Sequence, residues 1–324
     1  MASRAAEQRA EVRLTNLDEE LFGGAQATKR DLVDYLDAVR EQLIRVLSDR
    51  PLSVIRVLRG QQPFMQKNVP RYTPDFVRTV TVWAESSRRE VSYALCNDRR
   101  TLLWFANQRA VEYHPTLARV DRWDSPDFLV LDIDPPPDRG FDVVVQAALL
   151  VREALSSVGL AGAVKTSGAK GAHVFVPLSA GQPSADAAAA TRAIAARAER
   201  LAPDLTTTAF VKADRGGRVF LDATRAFGAT VVAAYSPRAR PGTPVSFPVS
   251  WTDLARVQPA DFTIRTAAGL LRGRDAWADS LPAPQRLPAD LVAEGDAIPV
   301  ARVAAMHEGK RRARAGRDEG PATG

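Results

Sequence analysis

The stretch FLVLDIDPPP, residues 128–137, places two acids one residue apart at the end of an apolar run and then stops on three prolines. Phe128, Leu129, Val130 and Leu131 are residue types that favour strands, and the run continues through Ile133. Pro135, Pro136 and Pro137 have no N–H to give to a ladder, so the strand ends there. Alternation puts Asp132 and Asp134 on one face and Leu131 and Ile133 on the other. Cα atoms two positions apart on a strand are about 6–7 Å apart. Both carboxylates can then converge on one cation, or on two cations about 4 Å apart. With no cation, two like charges on a half-buried strand repel and are poorly solvated. An acidic turn leaving a strand is an equally good account of these ten residues alone, so the surrounding chain has to decide.

The chain has 324 residues, 45% hydrophobic and 25% charged, which suits one large domain or two smaller ones. No apolar run reaches the roughly 20 residues that span a bilayer, and the opening MASRAAEQRAEVRL has no apolar signal core. A cytoplasmic, nucleoid-associated location and no membrane partner are the expectation. The single cysteine, Cys96, allows neither an internal disulfide nor a cysteine-based zinc site. The net charge is +6 and arginine dominates it, which suits a phosphate-bearing partner.

Along the chain, residues 1–13 read as a loose lead-in, and Thr28 opens a helix over 31–47. LSVIRVL (52–58) and YALCN (93–97) read as strands, while TLLWFAN (101–107) fits a strand or a helix. Asp142 reads as the cap of a helix that runs to about Ser157 and is ended by Gly159. GAVKTSGAKGAHVFVPL (162–178) reads as strand, glycine turn, strand. An alanine-rich helix follows over 184–202, with Ser184 as its cap. GRVFLDAT (217–224) and ATVVAAYS (229–236) read as two more strands. Periodicity is lost after 284, and the end, KRRARAGRDEGPATG, has the composition of a disordered basic tail.

Three stretches complete a constellation around the acid pair. In KTSGAKGAHV (165–174), Gly168 and Gly171 permit a tight turn, Ser167 and Lys170 can donate to phosphate oxygens, and His173 begins the next strand. The P-loop spacing is absent. RVFLDAT repeats the pattern of an apolar run ending on an acid, and Asp222 would be the third carboxylate of a two-metal site. In AYSPRARPGTPVSFPVSW (234–251), Arg238 and Arg240 sit on an extended, proline-rich segment able to clamp phosphates. Each stretch alone also has an ordinary structural explanation: a glycine hairpin, a strand-end acid, a solvated loop.

In order, the four stretches resemble the catalytic core of archaeo-eukaryotic-type primase-polymerases, specifically the ligase D polymerase domain and its free-standing relatives. VRLTNLDEELF, ATKRDLVDYL, RPLSVIRVLRG and PFMQKNVP resemble that family's opening blocks, so the resemblance covers about residues 11–285. It implies an α/β fold with a central, largely antiparallel sheet, flanking helices and an N-terminal helical part. The expected organisation is a catalytic domain over 1–285, divided into an N-terminal part (11–110) and a core (111–285), with a flexible basic tail over 286–324. The resemblance further implies that Asp132, Asp134 and Asp222 hold two Mn²⁺ or Mg²⁺ ions. Ser167, Lys170, His173, His114 and Arg238 would hold the incoming nucleotide. Phe64 would stack on a template base, and Lys29, Arg56, Lys67, Arg225 and Arg240 would contact DNA.

The sequence also departs from the family. Ile55 stands where a lysine is common, Met65 replaces the second aromatic of a pair, and Arg225 stands where relatives often have a neutral residue. Glu19 stands where a lysine belongs to a pocket for a downstream 5′-phosphate, and it would repel that group. The activity implied is template-directed transfer of NTPs or dNTPs to a primer on primed, gapped or broken DNA. No K-x-D-G ligase block is present, so ligase and Ku are expected to be separate proteins. A DNA-end-bridging module without catalysis, and an Asp-x-Asp glycosyltransferase, are the competing readings. The third acid and the Ser167–His173 block speak against the second.

Overall fold

The computed structural model describes residues 7–84, 89–225 and 229–300. The N-terminal part begins with a hairpin, β1 (Glu7–Arg9) and β2 (Val12–Leu14), where the sequence suggested a loose lead-in. Arg9 and Arg30 clasp Glu7, and Arg9 also pairs with Asp34, which fixes the hairpin to the next helix. The helix expected over 31–47 is two helices, α1 (Lys29–Ala38) and α2 (Arg40–Leu47), broken where Val39 leaves helical geometry at φ −101° and ψ 15°. Thr28 caps α1, and its hydroxyl and backbone share a reciprocal capping box with Asp31.

Next come β3 (Leu52–Arg56), β4 (Phe64–Gln66), β5 (Thr79–Ala84), β6 (Arg89–Ala94), α3 (Arg99–Asn107) and β7 (Ala110–Pro115). The segment TLLWFAN, ambiguous in the sequence, lies in α3, and the Asp98 side chain caps it by accepting from the Thr101 N–H. The five strands form one antiparallel sheet in the order β4-β3-β6-β5, with β7 also paired to β3.

The core half contains β8 (Phe128–Asp134), α4 (Phe141–Ser156), β9 (Ala163–Thr166), β10 (Ala172–Pro177), α5 (Ser184–Leu201), β11 (Thr206–Thr207), β12 (Val219–Asp222) and β13 (Pro248–Val249). Three short helices follow: α6 (Ala267–Leu271), α7 (Ala276–Ser280) and α8 (Ala289–Asp296). Six strands form the central sheet in the order β11-β12-β8-β10-β9-β13, antiparallel except for β11 with β12. This is the mixed, largely antiparallel α/β fold expected. Leu129, Leu131 and Ile133 are buried in the same core as the apolar residues of α4 and α5, which both pack on β8. No helix among the described residues is long and apolar enough to cross a membrane.

Several local expectations differ from the structure. Gly140, not Asp142, precedes α4, and Asp142 lies in its first turn. Pro183 caps α5, with Ser184 already helical. The segment 229–236 is extended along β7, with Val231 and Ala233 donating to Pro115 and Tyr113, but it forms no regular strand. It ends at Tyr235, which takes a left-handed φ of 69°.

The region expected to be a flexible tail contains α8, with Leu291 fully buried and Glu294 bound by Arg197 and Arg200. Gly295 is what lets α8 approach α5, because a Cβ there would lie 1.8 Å from the Ala189 carbonyl oxygen. The KRRARAGRDEGPATG segment lies outside the described residues. Gly295→Ala should therefore lower stability by about 1–3 kcal/mol, read as a drop in the thermal midpoint. An unchanged midpoint would show that α8 is not closely docked.

Candidate active site

Strand register builds the centre of the site. Asp222 pairs with Asp132 across β12 and β8, Asp132 with His173 across β8 and β10, and His173 with Lys165 across β10 and β9. Residues paired across antiparallel strands share a face, so these four side chains form one row across the sheet. Asp134, two residues beyond Asp132, projects from the same face at the strand's open end. The row is buried, with Lys165 fully inside, whereas Asp134 is exposed.

Within the row every polar atom has work. Lys165 Nζ donates to His173 Nδ1 at 2.7 Å and to Ser246 Oγ at 2.6 Å. His173 Nε2 lies 3.2 Å from Asp132 Oδ1. Burial, with Lys165 beside it, holds the His173 pKa down at about 4, so the ring is neutral at pH 7. The Asp132 carboxylate beside Nε2 favours the tautomer with its proton there, which leaves Nδ1 to accept from Lys165. Burial likewise drives the Lys165 amine well below its ordinary range. Sequence reasoning missed Lys165 and Ser246, and it placed His173 on the nucleotide. The structure places one ring nitrogen of His173 on Lys165 and the other on Asp132.

The three acids differ in their surroundings. Burial pushes Asp132 up, but His173 and then Arg225 outweigh it and hold this carboxyl below its ordinary range. Asp222 Oδ1 accepts from the N–H and hydroxyl of Thr224, at 2.8 and 2.6 Å. Burial and the charges of Asp132 and Asp222 raise Asp134 to about 6. Among the described residues no three His, Cys, Asp or Glu side chains converge on a common metal position. Two of the three acids are engaged elsewhere: Arg225 lies 3.2 Å from Asp132 and 3.3 Å from Asp222. The donor set is nonetheless all oxygen on one face, and Asp134 is in no ion pair among the described residues, which fits a hard divalent cation.

Beside the acids, the Ser167 hydroxyl accepts from the turn amides of Ala169 and Gly171. The turn depends on its glycines. Gly171 lies so close to β8 that a Cβ would sit 2.2 Å from the Ile133 carbonyl oxygen, and Gly168 has φ +67° with the Arg238 side chain against it. Arg238 donates to the Ser167 carbonyl and lies 3.0 Å from Glu112 Oε2. His114 Nε2 is 2.8 Å from the same Glu112 oxygen, and the Ala239 N–H donates to its other oxygen. Burial alone would raise Glu112, but the His114 hydrogen bond and the Arg238 charge hold it down at about 2. Glu112, also missed in the sequence, thus ties His114 and Arg238 together.

Lys170 and Arg240 line an adjoining groove of about 680 Å³ with Asp134, Lys212, Arg215 and Arg218. A separate apolar cavity of about 200 Å³, walled by Phe128, Phe175 and Trp277, contains none of the three acids.

The expected DNA contacts divide into two groups. Phe64 is 36% exposed on the edge strand β4, and Lys67 and Arg240 are exposed. Lys29 is buried, donating to the Thr15 carbonyl and to Asn107, and burial lowers its pKa to about 8. Arg56 is buried too, bonded to Gln108, Gln66 and Tyr72. Arg225 lies against the acids rather than on an outer surface. Glu19 pairs with Arg109.

A family model for the LigD primase-polymerase domain matches residues 28–277. The chain is 33% identical over 263 residues to the bifunctional non-homologous end joining protein LigD of Bacillus subtilis, covering 79% of this chain and 41% of that protein. It is 32% identical over 261 residues to the multifunctional non-homologous end joining DNA repair protein LigD of Mycobacterium tuberculosis, covering 77% of this chain and 34% of that one. The chain thus spans less than half the length of these relatives. Among solved structures, the polymerase domain of Mycobacterium tuberculosis ligase D in complex with DNA aligns with a TM-score of 0.75 and 28% identity, over 89% of this chain and 99% of that one. The chain belongs to the LigD primase-polymerase domain family and is a nucleotidyltransferase of the polymerase class.

Proposed function

We propose that this protein extends a primer 3′-hydroxyl on a DNA template at gaps or broken ends, using NTPs or dNTPs, and that it works with a ligase activity and Ku in end joining. The observation that carries the reading is the row of paired acids with Asp134 beside it, on the same face and in no ion pair among the described residues. Asp132, Asp134 and Asp222 would hold two divalent ions, Mn²⁺ or Mg²⁺. When bound, these ions supply activation of the primer hydroxyl and neutralisation of the departing pyrophosphate. His173 holds Asp132 in place by donating a hydrogen bond to it. The Ser167 hydroxyl, Lys170 and Arg238 offer donors to a triphosphate. Glu112 keeps Arg238 and His114 at the nucleotide end. The exposed Phe64 ring provides a stacking surface for a template base, and Lys67 and Arg240 provide contacts to the DNA backbone.

Primer extension across a short gap tests this, with Mn²⁺ and either rNTPs or dNTPs. Asp132→Ala should reduce incorporation by roughly 10³-fold or more while DNA binding persists. Binding without incorporation by the wild-type protein would favour an end-bridging module instead. Because Lys29 is buried and Glu19 is paired with Arg109, a downstream 5′-phosphate should leave incorporation nearly unchanged.

Glu112→Gln should raise the KM for nucleotide about tenfold, because it removes a charge-assisted contact that positions Arg238. An unchanged KM would detach Glu112 from nucleotide binding.

The raised pKa of Asp134 makes a separate prediction in the absence of metal. Its folded-state pKa of about 6 lies above the ordinary 3.8. The folded state therefore holds its proton more tightly, and the stability gained below pH 4 is lost as pH rises through 6. Asp134→Asn should stabilise the metal-free protein at pH 7 by ~1 kcal/mol, after discounting for solvent exposure. Denaturation at pH 4 should show no such gain, and equal stability at pH 7 would remove the case for a charge deficit.

A further inference from the structure

Arg225 stands three residues past Asp222, just after β12 has ended. Its Nε and one terminal nitrogen each lie 3.2 Å from Asp132 Oδ2, and Nε is also 3.3 Å from Asp222 Oδ2. One guanidinium therefore spans the two acids that face each other across the strand pair. The remaining oxygens are also engaged, Asp132 Oδ1 by His173 and Asp222 Oδ1 by Thr224. The Thr224 contacts close a turn that fixes the backbone leading into Arg225. Asp134, by contrast, has no ion pair among the described residues, although it lies on the same face.

A guanidinium stays protonated at any working pH, so it cannot yield to a cation by losing its proton. A divalent ion held by Asp132 and Asp222 would meet a like charge at close range and compete with it for the same carboxylates. Loading the ion would favour displacement of the arginine. Its side chain is 39% exposed, whereas those of Asp132 and Asp222 are 11% and 8% exposed. The head group can therefore leave toward solvent while the acids stay in place.

We propose that Arg225 is a tethered counter-ion that bridges Asp132 and Asp222 in the substrate-free protein and competes with the divalent cation for them. This rests on the reading of the three acids as a metal site, and it adds a residue that sets how easily that site is loaded. The effect expected for two partly exposed ion pairs is about tenfold in metal affinity.

Direct Mn²⁺ titration of the full chain, free of DNA and nucleotide, tests the proposal. Free Mn²⁺ is followed by its electron paramagnetic resonance signal. R225Q should bind Mn²⁺ about tenfold more tightly than the wild type, and D132N should bind it far more weakly than either. R225K keeps the charge but loses the fork that spans both acids, so it should fall between wild type and R225Q. It also covers the case in which R225Q does not fold. Equal affinity of wild type and R225Q, or weaker binding by R225Q, would overturn the proposal while leaving the metal site intact. Binding by wild type no stronger than by D132N would overturn the metal reading and this inference with it.

Discussion

Asp132 and Asp222 face each other across hydrogen-bonded strands, and like charges so placed repel at short range inside a sheet. Much of the surrounding structure answers that repulsion. His173 gives Asp132 a hydrogen bond, Thr224 gives Asp222 two, and Arg225 reaches both. Asp134, left with the residual charge of the other two, is the acid whose pKa rises. A sheet that only needed stability would not keep this arrangement, because apolar residues at the same positions would avoid the desolvation altogether. The arrangement makes sense where a cation is to be bound and released.

Both halves of the chain contribute to the proposed nucleotide end. Glu112 and His114 come from β7 in the N-terminal sheet, while Ser167 and Arg238 come from the core. Tyr235 joins the halves just before Arg238. Its carbonyl accepts from the Tyr35 hydroxyl of α1, and its own hydroxyl meets Asp275 and the Trp277 N–H. The left-handed backbone at Tyr235 ends the extended segment and turns the chain so that Arg238 lies against the Ser167 turn. The position of Arg238 is thus set from both sides of the molecule, which suits the triphosphate contact proposed for it.

Local pattern carried the strands that bear the acids. In β8 and β12 an apolar run ends on a carboxylate, and in β10 the run follows a glycine turn. What local pattern could not carry was register. Nothing in the sequence says that Asp222 pairs with Asp132, or that His173 lies between Asp132 and Lys165. Lys165 and Glu112 read as ordinary strand residues until the sheets bring partners to them. The same limit applies to basic residues. Lys29, Arg56 and Lys67 have similar sequence surroundings, but the first two are buried with their donors directed at carbonyl and amide oxygens, and only Lys67 is left on the surface. TLLWFAN was ambiguous because seven mostly apolar residues fit either period, and Asp98 settles it by capping the helix. The docking of α8 has almost no local signal, since it depends on one glycine meeting a carbonyl a hundred residues away in sequence.

The row from Asp222 to Lys165 also determines how a change in one strand reaches another. Lys165 sits two strands from Asp132, yet its amine occupies the ring nitrogen of His173 that faces away from the carboxylate. The amine is anchored in turn by Ser246, whose hydroxyl also donates to the Thr166 carbonyl of β9. A buried network of this kind is stable only when every member is satisfied, because an unpaired member bears the full penalty of desolvation. Removing the Lys165 amine would leave His173 Nδ1 without its buried partner. The setting of Asp132 therefore depends on a lysine whose own contacts are His173 and Ser246.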